Sequence, residues 1–134
     1  MGLFGGKKDT RPVDEGLAHL LGSDEPTAIE FWKKRLKLTA SVPTDVARVG
    51  ALTPQIRELT RVENIEERKR LTRARIIAFA QLSPEDRQTI AAARRKAFEV
   101  DPAVLKADQE LVDQLLPTLD ENVRSVYPSP GHTT

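Results

Sequence analysis

Apolar residues recur every three or four positions through most of the chain, which is the spacing of an amphipathic α-helix. After Ser83, the recurring apolar residues are Ile90, Ala93, Ala97 and Val100. A second stripe follows Asp101 and ends at Pro117, and its members are Val104, Leu105, Leu111, Val112, Leu115 and Leu116. The spacing predicts one helix over 84–99 and another that begins after residue 101.

A capping side chain stands directly before proline at three places, Thr53-Pro54, Ser83-Pro84 and Asp101-Pro102. A short oxygen-bearing side chain accepts a free N–H of the first helical turn, and proline at the first helical position removes a donor that has no partner. Each pair therefore predicts the start of a helix. Asn64 predicts a kink or a fresh start before a heavily buried helix over 71–82.

The other helix signals are weaker. They are a start near Thr10 and Pro12 with a stop at Gly22, a start over 23–26 with an end near 38, a short helix after Pro43, and a cap at Thr118. No run of alternating β-branched residues and no Asn-Gly or Asp-Gly hairpin signal accompanies them. We therefore predict an all-α, compact bundle of six or seven helices. The predicted helical domain covers 10–126, with a flexible apolar and basic tail over 1–9 and an irregular tail over 127–134.

Composition narrows the class of protein. The chain has 134 residues, is 31% charged and contains no cysteine, so we expect no disulfide and no Cys-ligated metal. The longest apolar stretch, near residues 75–80, is far shorter than the ~20 residues that a membrane-spanning helix needs. Residues 1–22 lack a continuous apolar region, so we expect no secretory leader.

The sequence offers little for catalysis. His19 and His132 are the only histidines, and neither belongs to a metal-binding spacing. No Gly-x-x-x-x-Gly-Lys-Ser/Thr phosphate loop and no Gly-x-Ser-x-Gly motif occurs. We therefore predict that the chain is not an enzyme and that it holds no cofactor and no metal.

Charge is unevenly distributed, although the net charge is only +1. Residues 54–96 hold 11 basic and 6 acidic residues, whereas residues 97–134 hold 2 basic and 7 acidic ones. This division predicts a dipolar molecule unless folding brings the two regions together. The candidate basic patch consists of Arg68, Lys69, Arg70, Arg73 and Arg75. Such a patch is either a solvated helix face paired with acids or a surface for lipid headgroups or nucleic acid.

The N-terminal tip combines apolar and basic residues. Leu3 and Phe4 can insert into a membrane, which places Lys7 and Lys8 at the level of the headgroups. The tip does not match the N-myristoylation signal, because Gly6 stands where that signal has serine or threonine. We take these residues as a candidate contact with a membrane or a partner.

Trp32 is the only tryptophan, and Lys33 and Lys34 follow it directly. An indole ring beside basic side chains suits a half-wet interface, which makes the three residues candidate contacts for a membrane or partner. The alternative is that Trp32 belongs to the core.

These features predict a non-catalytic accessory or scaffold subunit of a larger, membrane-associated bacterial complex, photosynthetic or respiratory in kind. The bacterial assignment rests on composition, since arginine outnumbers lysine by 13 to 8. We expect a cytoplasmic protein, peripheral on the cytoplasmic face of the inner membrane. Its expected partners are protein subunits and the membrane surface, with no small-molecule substrate.

Two alternatives stay open. A small nucleic-acid-binding protein would use the basic residues Arg57, Arg61, Arg68, Lys69, Arg70 and Arg73. A cytosolic adaptor or regulator would bind proteins through the acidic residues of the C-terminal helices, namely Asp108, Glu110 and Asp113.

Overall fold

The computed structural model describes Leu17 and residues 19–128, and this part of the chain is helical almost throughout, with no strand. Its six helices after Gly22 are α1 (Glu25–Ser41), α2 (Asp45–Thr60), α3 (Ile65–Ala80), α4 (Pro84–Val100), α5 (Pro102–Leu115) and α6 (Glu121–Arg124). A 3₁₀ turn, Leu116–Thr118, connects α5 to α6. The predicted all-α bundle is confirmed.

Side-chain oxygens cap the first turn of five helices. Each accepts the backbone N–H three residues further along, and the five belong to Asp24, Thr44, Asn64, Ser83 and Asp101. These bonds satisfy donors that a helix leaves unpaired at its start. The predicted starts at Asn64, Ser83 and Asp101 are confirmed, and Asn64 begins a new helix.

Gly22 ends the helical turn that precedes α1, as predicted. Its φ is +80°, and the N–H of Ser23 donates to the carbonyl of Leu20 at 2.9 Å. Glycine adopts this backbone conformation without the steric cost that a Cβ brings. The predicted helix start at Thr10 and Pro12 lies outside the described residues, so the boundary between tail and helical domain stays a prediction.

The predicted helix start at Thr53 and Pro54 is wrong, because both residues lie inside α2. The hydroxyl of Thr53 donates to the carbonyl of Val49 at 2.8 Å instead of capping a turn. Proline cannot donate to the carbonyl of Gly50, but Gly50 is exposed and water can take that place. The helix that was predicted to be short therefore continues through the proline.

The predicted cap at Thr118 is also wrong. Its hydroxyl donates to the carbonyl of Leu115 at 2.6 Å, so it closes the preceding turn. Helix α6 begins two residues later, after Asp120, whose side chain makes no capping bond.

The main core forms where α1 packs on α3 and where α2 packs on α4 and α5. Trp32 is 1% exposed there, and its ring meets the edge of Phe31 with centroids 5.6 Å apart. The burial predicted for 71–82 is confirmed, since Leu71, Thr72, Ala74, Arg75, Ile76, Ala78, Phe79 and Leu82 are all buried. Helix α3 is thus the central element of the bundle.

A second, smaller cluster closes the end of the bundle. It contains Ile76, Val112, Leu119 and Val123, and Tyr127 packs against both this cluster and the main core. The ring of Tyr127 meets Phe79 with centroids 5.3 Å apart. The segment after α6, predicted to be an irregular tail, therefore begins with a residue that packs on the core.

Gly22 and Gly50 should respond to alanine in opposite directions. A Cβ at Gly50 meets no heavy atom within 4 Å, so Gly50→Ala should raise the free energy of unfolding by about 0.5–1 kcal/mol through helix propensity. Gly22→Ala should lower it by about 1–2 kcal/mol, because its positive φ disfavours a Cβ. Urea denaturation of the two variants measures both changes, and a destabilised Gly50→Ala would contradict this account.

Candidate functional site

Three charged side chains meet in the interior where α3, α4 and α5 pack together. The Arg75 guanidinium donates to the Asp108 carboxylate twice, Nη1 to Oδ1 at 3.0 Å and Nη2 to Oδ2 at 2.7 Å. Nη2 of Arg94 lies 2.9 Å from the same Oδ2. None of the three side chains is more than 7% exposed. We call Arg75, Arg94 and Asp108 the buried ion cluster.

Each member of this cluster occupies a position on the apolar face of its helix. The flanking apolar residues on the same face are Leu71 and Phe79 for Arg75, Ile90 and Ala97 for Arg94, and Leu105 and Leu111 for Asp108. Helical periodicity therefore turns all three charges inward. Because these side chains are almost inaccessible to solvent, their charges are compensated mainly by one another.

Burial and attraction act in opposite directions on these groups. Burial lowers the pKa of Arg75, but attraction by Asp108 and hydrogen bonds with Asp108 and Tyr127 outweigh it, so the pKa is raised. Burial raises the pKa of Asp108, but attraction by Arg75 and Arg94 outweighs it, so the pKa lies below its usual value. Because arginine stays protonated in proteins, the cluster carries two positive charges and one negative charge at neutral pH.

Arg94 is the least satisfied member of the cluster. Its Nη2 also donates to Oε1 of Gln109 at 2.9 Å, and its guanidinium carbon lies 5.6 Å from the centre of the Phe98 ring. Its Nε is buried and has no hydrogen-bond partner. A pocket of about 20 Å³ adjoins the cluster, and Arg75, Arg94 and Tyr127 are among its lining residues.

The predicted basic patch does not form one free surface. Arg75 belongs to the buried ion cluster, which corrects its assignment to the patch, and Lys69 is half-buried. The other three arginines contact the protein itself: Arg70 donates to Glu67 and to the carbonyls of Leu20 and Ser23, Arg73 to Glu25, and Arg68 to the carbonyl of Val62. These arginines connect α3 to neighbouring segments.

Further residues named for nucleic-acid binding are also paired. Arg57 donates to Asp101 at 2.9 Å, and Arg61 donates to Glu58 at 2.9 Å. The first pair joins the basic region 54–96 to the acidic region 97–134, as the buried ion cluster does. Folding therefore brings the two oppositely charged regions together. The sequence predicted a dipolar molecule only if the two regions stayed apart.

The other predicted contact residues have different locations. Trp32 lies in the core, so its ring is not available to a membrane or a partner. Lys34 is exposed on α1, and the half-buried Lys33 lies 3.9 Å from Glu30. The four residues of the N-terminal tip, Leu3, Phe4, Lys7 and Lys8, lie outside the described residues.

Sequence reasoning missed an apolar groove between the first turns of α2 and the last turns of α4. Val46 is 84% exposed and Val100 is 66% exposed. The groove has a volume of about 400 Å³, and its lining residues are Asp45, Val46, Val49, Gly50, Lys96, Glu99 and Val100. A usable signal was that Val46 directly follows the first residue of α2, because the end of a helix offers little cover to an apolar side chain. We call these residues the valine groove.

Within residues 17 and 19–128, no three His, Cys, Asp or Glu side chains are grouped so that they could hold a metal ion. No helix in the same part of the chain has the length and apolar character needed to cross a membrane. No family model, curated protein or solved structure matches this chain.

Asp108→Asn should be strongly destabilising, because it leaves two guanidiniums in the interior without a counter-charge. We expect the free energy of unfolding to fall by about 3–5 kcal/mol at pH 7. The matched control is Glu110→Gln on the exposed side of α5, for which we expect a change within about 0.5 kcal/mol. Urea denaturation measures both, and equal stabilities of the two variants would contradict the role of the cluster.

The pH dependence of this difference follows from the depressed pKa of Asp108. The stability that the ionised carboxylate contributes is fully present above the unfolded pKa near about 3.9, and it is lost as the pH falls through the folded value. The gap between the wild type and Asp108→Asn should therefore narrow as the pH falls below about 4.

Proposed function

We propose that this protein is a non-catalytic helical accessory or scaffold subunit that binds a neighbouring protein through the valine groove. The observation that carries the proposal is the exposure of Val46 and Val100 on two helices that pack against each other. Exposed apolar side chains gathered at one concave place favour a partner, because covering them removes apolar surface from water.

The internal contacts of the charged residues favour a protein partner at the valine groove over an anionic partner. Most of the arginines expected to bind nucleic acid or lipid headgroups are hydrogen-bonded within the protein, and Asp108, expected to serve an adaptor, is buried. Using them for a partner would first require breaking these contacts. The nucleic-acid-binding and adaptor alternatives stay predictions without a structural observation that favours them.

The expected occupant of the valine groove is an amphipathic helix that presents its apolar face to the groove. The groove is bordered by two carboxylates, Asp45 and Glu99, and by one cation, Lys96. Because Asp45 pairs with Arg48, the charges around the groove balance, while its middle is apolar. An amphipathic helix laid into a groove buries its apolar face and leaves its charges at the border.

Site-directed photo-crosslinking in the source cells tests this proposal. A crosslinking residue at Val46 should capture a defined partner, whereas the same residue at Leu38, which is 69% exposed on α1, should not. The captured protein is then purified and its affinity measured with the wild type and with Val46→Glu plus Val100→Lys. These substitutions suit the helix ends on which they lie, so the fold should persist.

We expect the double variant to lose at least about tenfold in affinity, since a fold-change of this size corresponds to about 1.4 kcal/mol. Leu38→Glu is the matched control and should bind as the wild type does. Equal crosslinking at positions 46 and 38, or full affinity in the double variant, would overturn the assignment of the groove.

The association with a bacterial membrane complex rests on the N-terminal tip. Leu3 and Phe4 would insert, and Lys7 and Lys8 would contact anionic headgroups, each cation contributing about 1 kcal/mol. The full chain should therefore float with vesicles containing phosphatidylserine in low salt, and deletion of 1–8 should abolish flotation. The substitution of both lysines by glutamine should weaken it, and flotation unchanged by the deletion would contradict the proposed anchor.

A further inference from the structure

The pocket beside the buried ion cluster has walls of two kinds. Arg75 and Arg94 supply its charged side, and the apolar lining comes from Leu36, Leu52, Ile56, Phe79, Ile90 and Ala91. Tyr127 and Pro128, which are half-buried, complete it. Its volume of about 20 Å³ is enough for one occupant of roughly the size of a water molecule.

The charge at this pocket is unbalanced. Two guanidiniums face one carboxylate in the buried ion cluster, so one positive charge is left over in the interior. Gln109, the other partner of Arg94, is neutral, and Asp113, the carboxylate to which Gln109 donates, is exposed to water. An uncompensated buried charge is costly, and a group of opposite charge at hydrogen-bond distance removes most of that cost.

Arg94, one of the residues that line the pocket, also has an unused donor. Nε of Arg94 is buried without a partner, although the same side chain uses Nη2 for Asp108 and Gln109. Buried N–H groups of folded proteins are nearly always hydrogen-bonded, so an occupant that accepts a hydrogen bond is expected here. Volume, charge and the free donor all point to the same kind of occupant.

We propose that this pocket binds one small monovalent anion of the halide class, held by the guanidiniums of Arg94 and Arg75. A halide ion is close to water in size, accepts hydrogen bonds from several donors and supplies the missing negative charge. A water molecule would satisfy the donor but leave the charge unbalanced. The site and the valine groove have no lining residue in common.

Halide binding would also connect the segment after α6 to the core of the bundle. Tyr127 lines the pocket together with Arg75, while its ring packs on Phe79. An anion between these groups and Arg94 would connect α3 and α4 to the segment after α6. The protein with bound halide should therefore be more stable than the empty one, because a ligand that binds only the folded state raises stability.

Thermal unfolding of the full chain in sodium chloride, compared with sodium gluconate at equal ionic strength, tests this site. Above the dissociation constant, chloride should raise the unfolding midpoint in proportion to the logarithm of its concentration, reaching about 5 °C at ten times that constant. Gluconate, which is too large for the pocket, should not. Identical midpoints in the two salts would mean that water occupies the pocket, and would overturn the proposal.

Two variants locate the effect. Arg94→Lys keeps the positive charge but removes Nε, and we expect it to lose at least half of the chloride-dependent shift. Arg95→Lys makes the same change at the exposed neighbouring position and should keep the full shift. An undiminished shift in Arg94→Lys would place the chloride elsewhere and overturn the proposal.

Crystals of the wild-type chain soaked in sodium bromide give a readout that does not depend on any variant. An anomalous peak between Arg94 and Tyr127 would support the site even if Arg94→Lys failed to fold. A peak only at surface positions, or no peak, would overturn it.

Discussion

The carboxylate of Asp108 holds two guanidiniums in the interior of the bundle, and the packing of α3, α4 and α5 depends on this arrangement. All three side chains are nearly inaccessible to water, so none can exchange its partner for solvent. A helix that turned or slid by one residue would leave a charge buried and unpaired, which is far more costly than a lost apolar contact. Apolar packing stabilises this bundle, and the ion cluster disfavours helix registers that would separate its three charges.

The same interactions account for the distribution of charge in the folded molecule. The basic and acidic regions of the sequence are joined in the structure by Arg57 with Asp101 and by the two arginines that bind Asp108. Arg70 and Arg73 make further bonds from α3 to the segment around the start of α1. Arginine is well suited to joining separate segments, because its planar, forked donors bind a carboxylate or several carbonyls at once. The charges that suggested an anionic partner are therefore largely structural.

The helix starts show how far sequence patterns reach. Ser83 and Asp101 cap helices as predicted because a cap depends only on residues within one turn. Thr53 and Pro54 carry the same signal, yet the helix passes through them. There the apolar contacts of Leu52, Ile56 and Leu59 on the buried face outweigh the loss of one hydrogen bond at an exposed carbonyl. Tertiary packing therefore determines that α2 continues through Pro54. A signal confined to neighbouring residues in the sequence contains no information about that packing.

The candidate sites were hidden for a related reason. Arg75 and Asp108 were assigned to charged surfaces by their neighbours in sequence, whereas the helical positions of both residues and of Arg94 coincide with the apolar stripes. A charge in the middle of an apolar stripe on each of three successive helices is a usable signal, because each such charge needs a buried partner. The crossing of the helices determines which charges pair and whether the net charge of the buried cluster is zero. The excess positive charge could be found only in the structure.

Helices α2 and α4 carry both proposed sites. Leu52 and Ile56 of α2 line the pocket at the ion cluster, while Val49 and Gly50, less than one turn away from Leu52, line the valine groove. On α4, Arg94 lines the pocket and Lys96 lines the valine groove. Gly50 and Pro54 make this part of α2 intrinsically weak as a helix, since one has high backbone entropy and the other lacks a donor. A partner in the groove would therefore order the segment of α2 that also forms the wall of the pocket, and the two sites share the element through which each could affect the other.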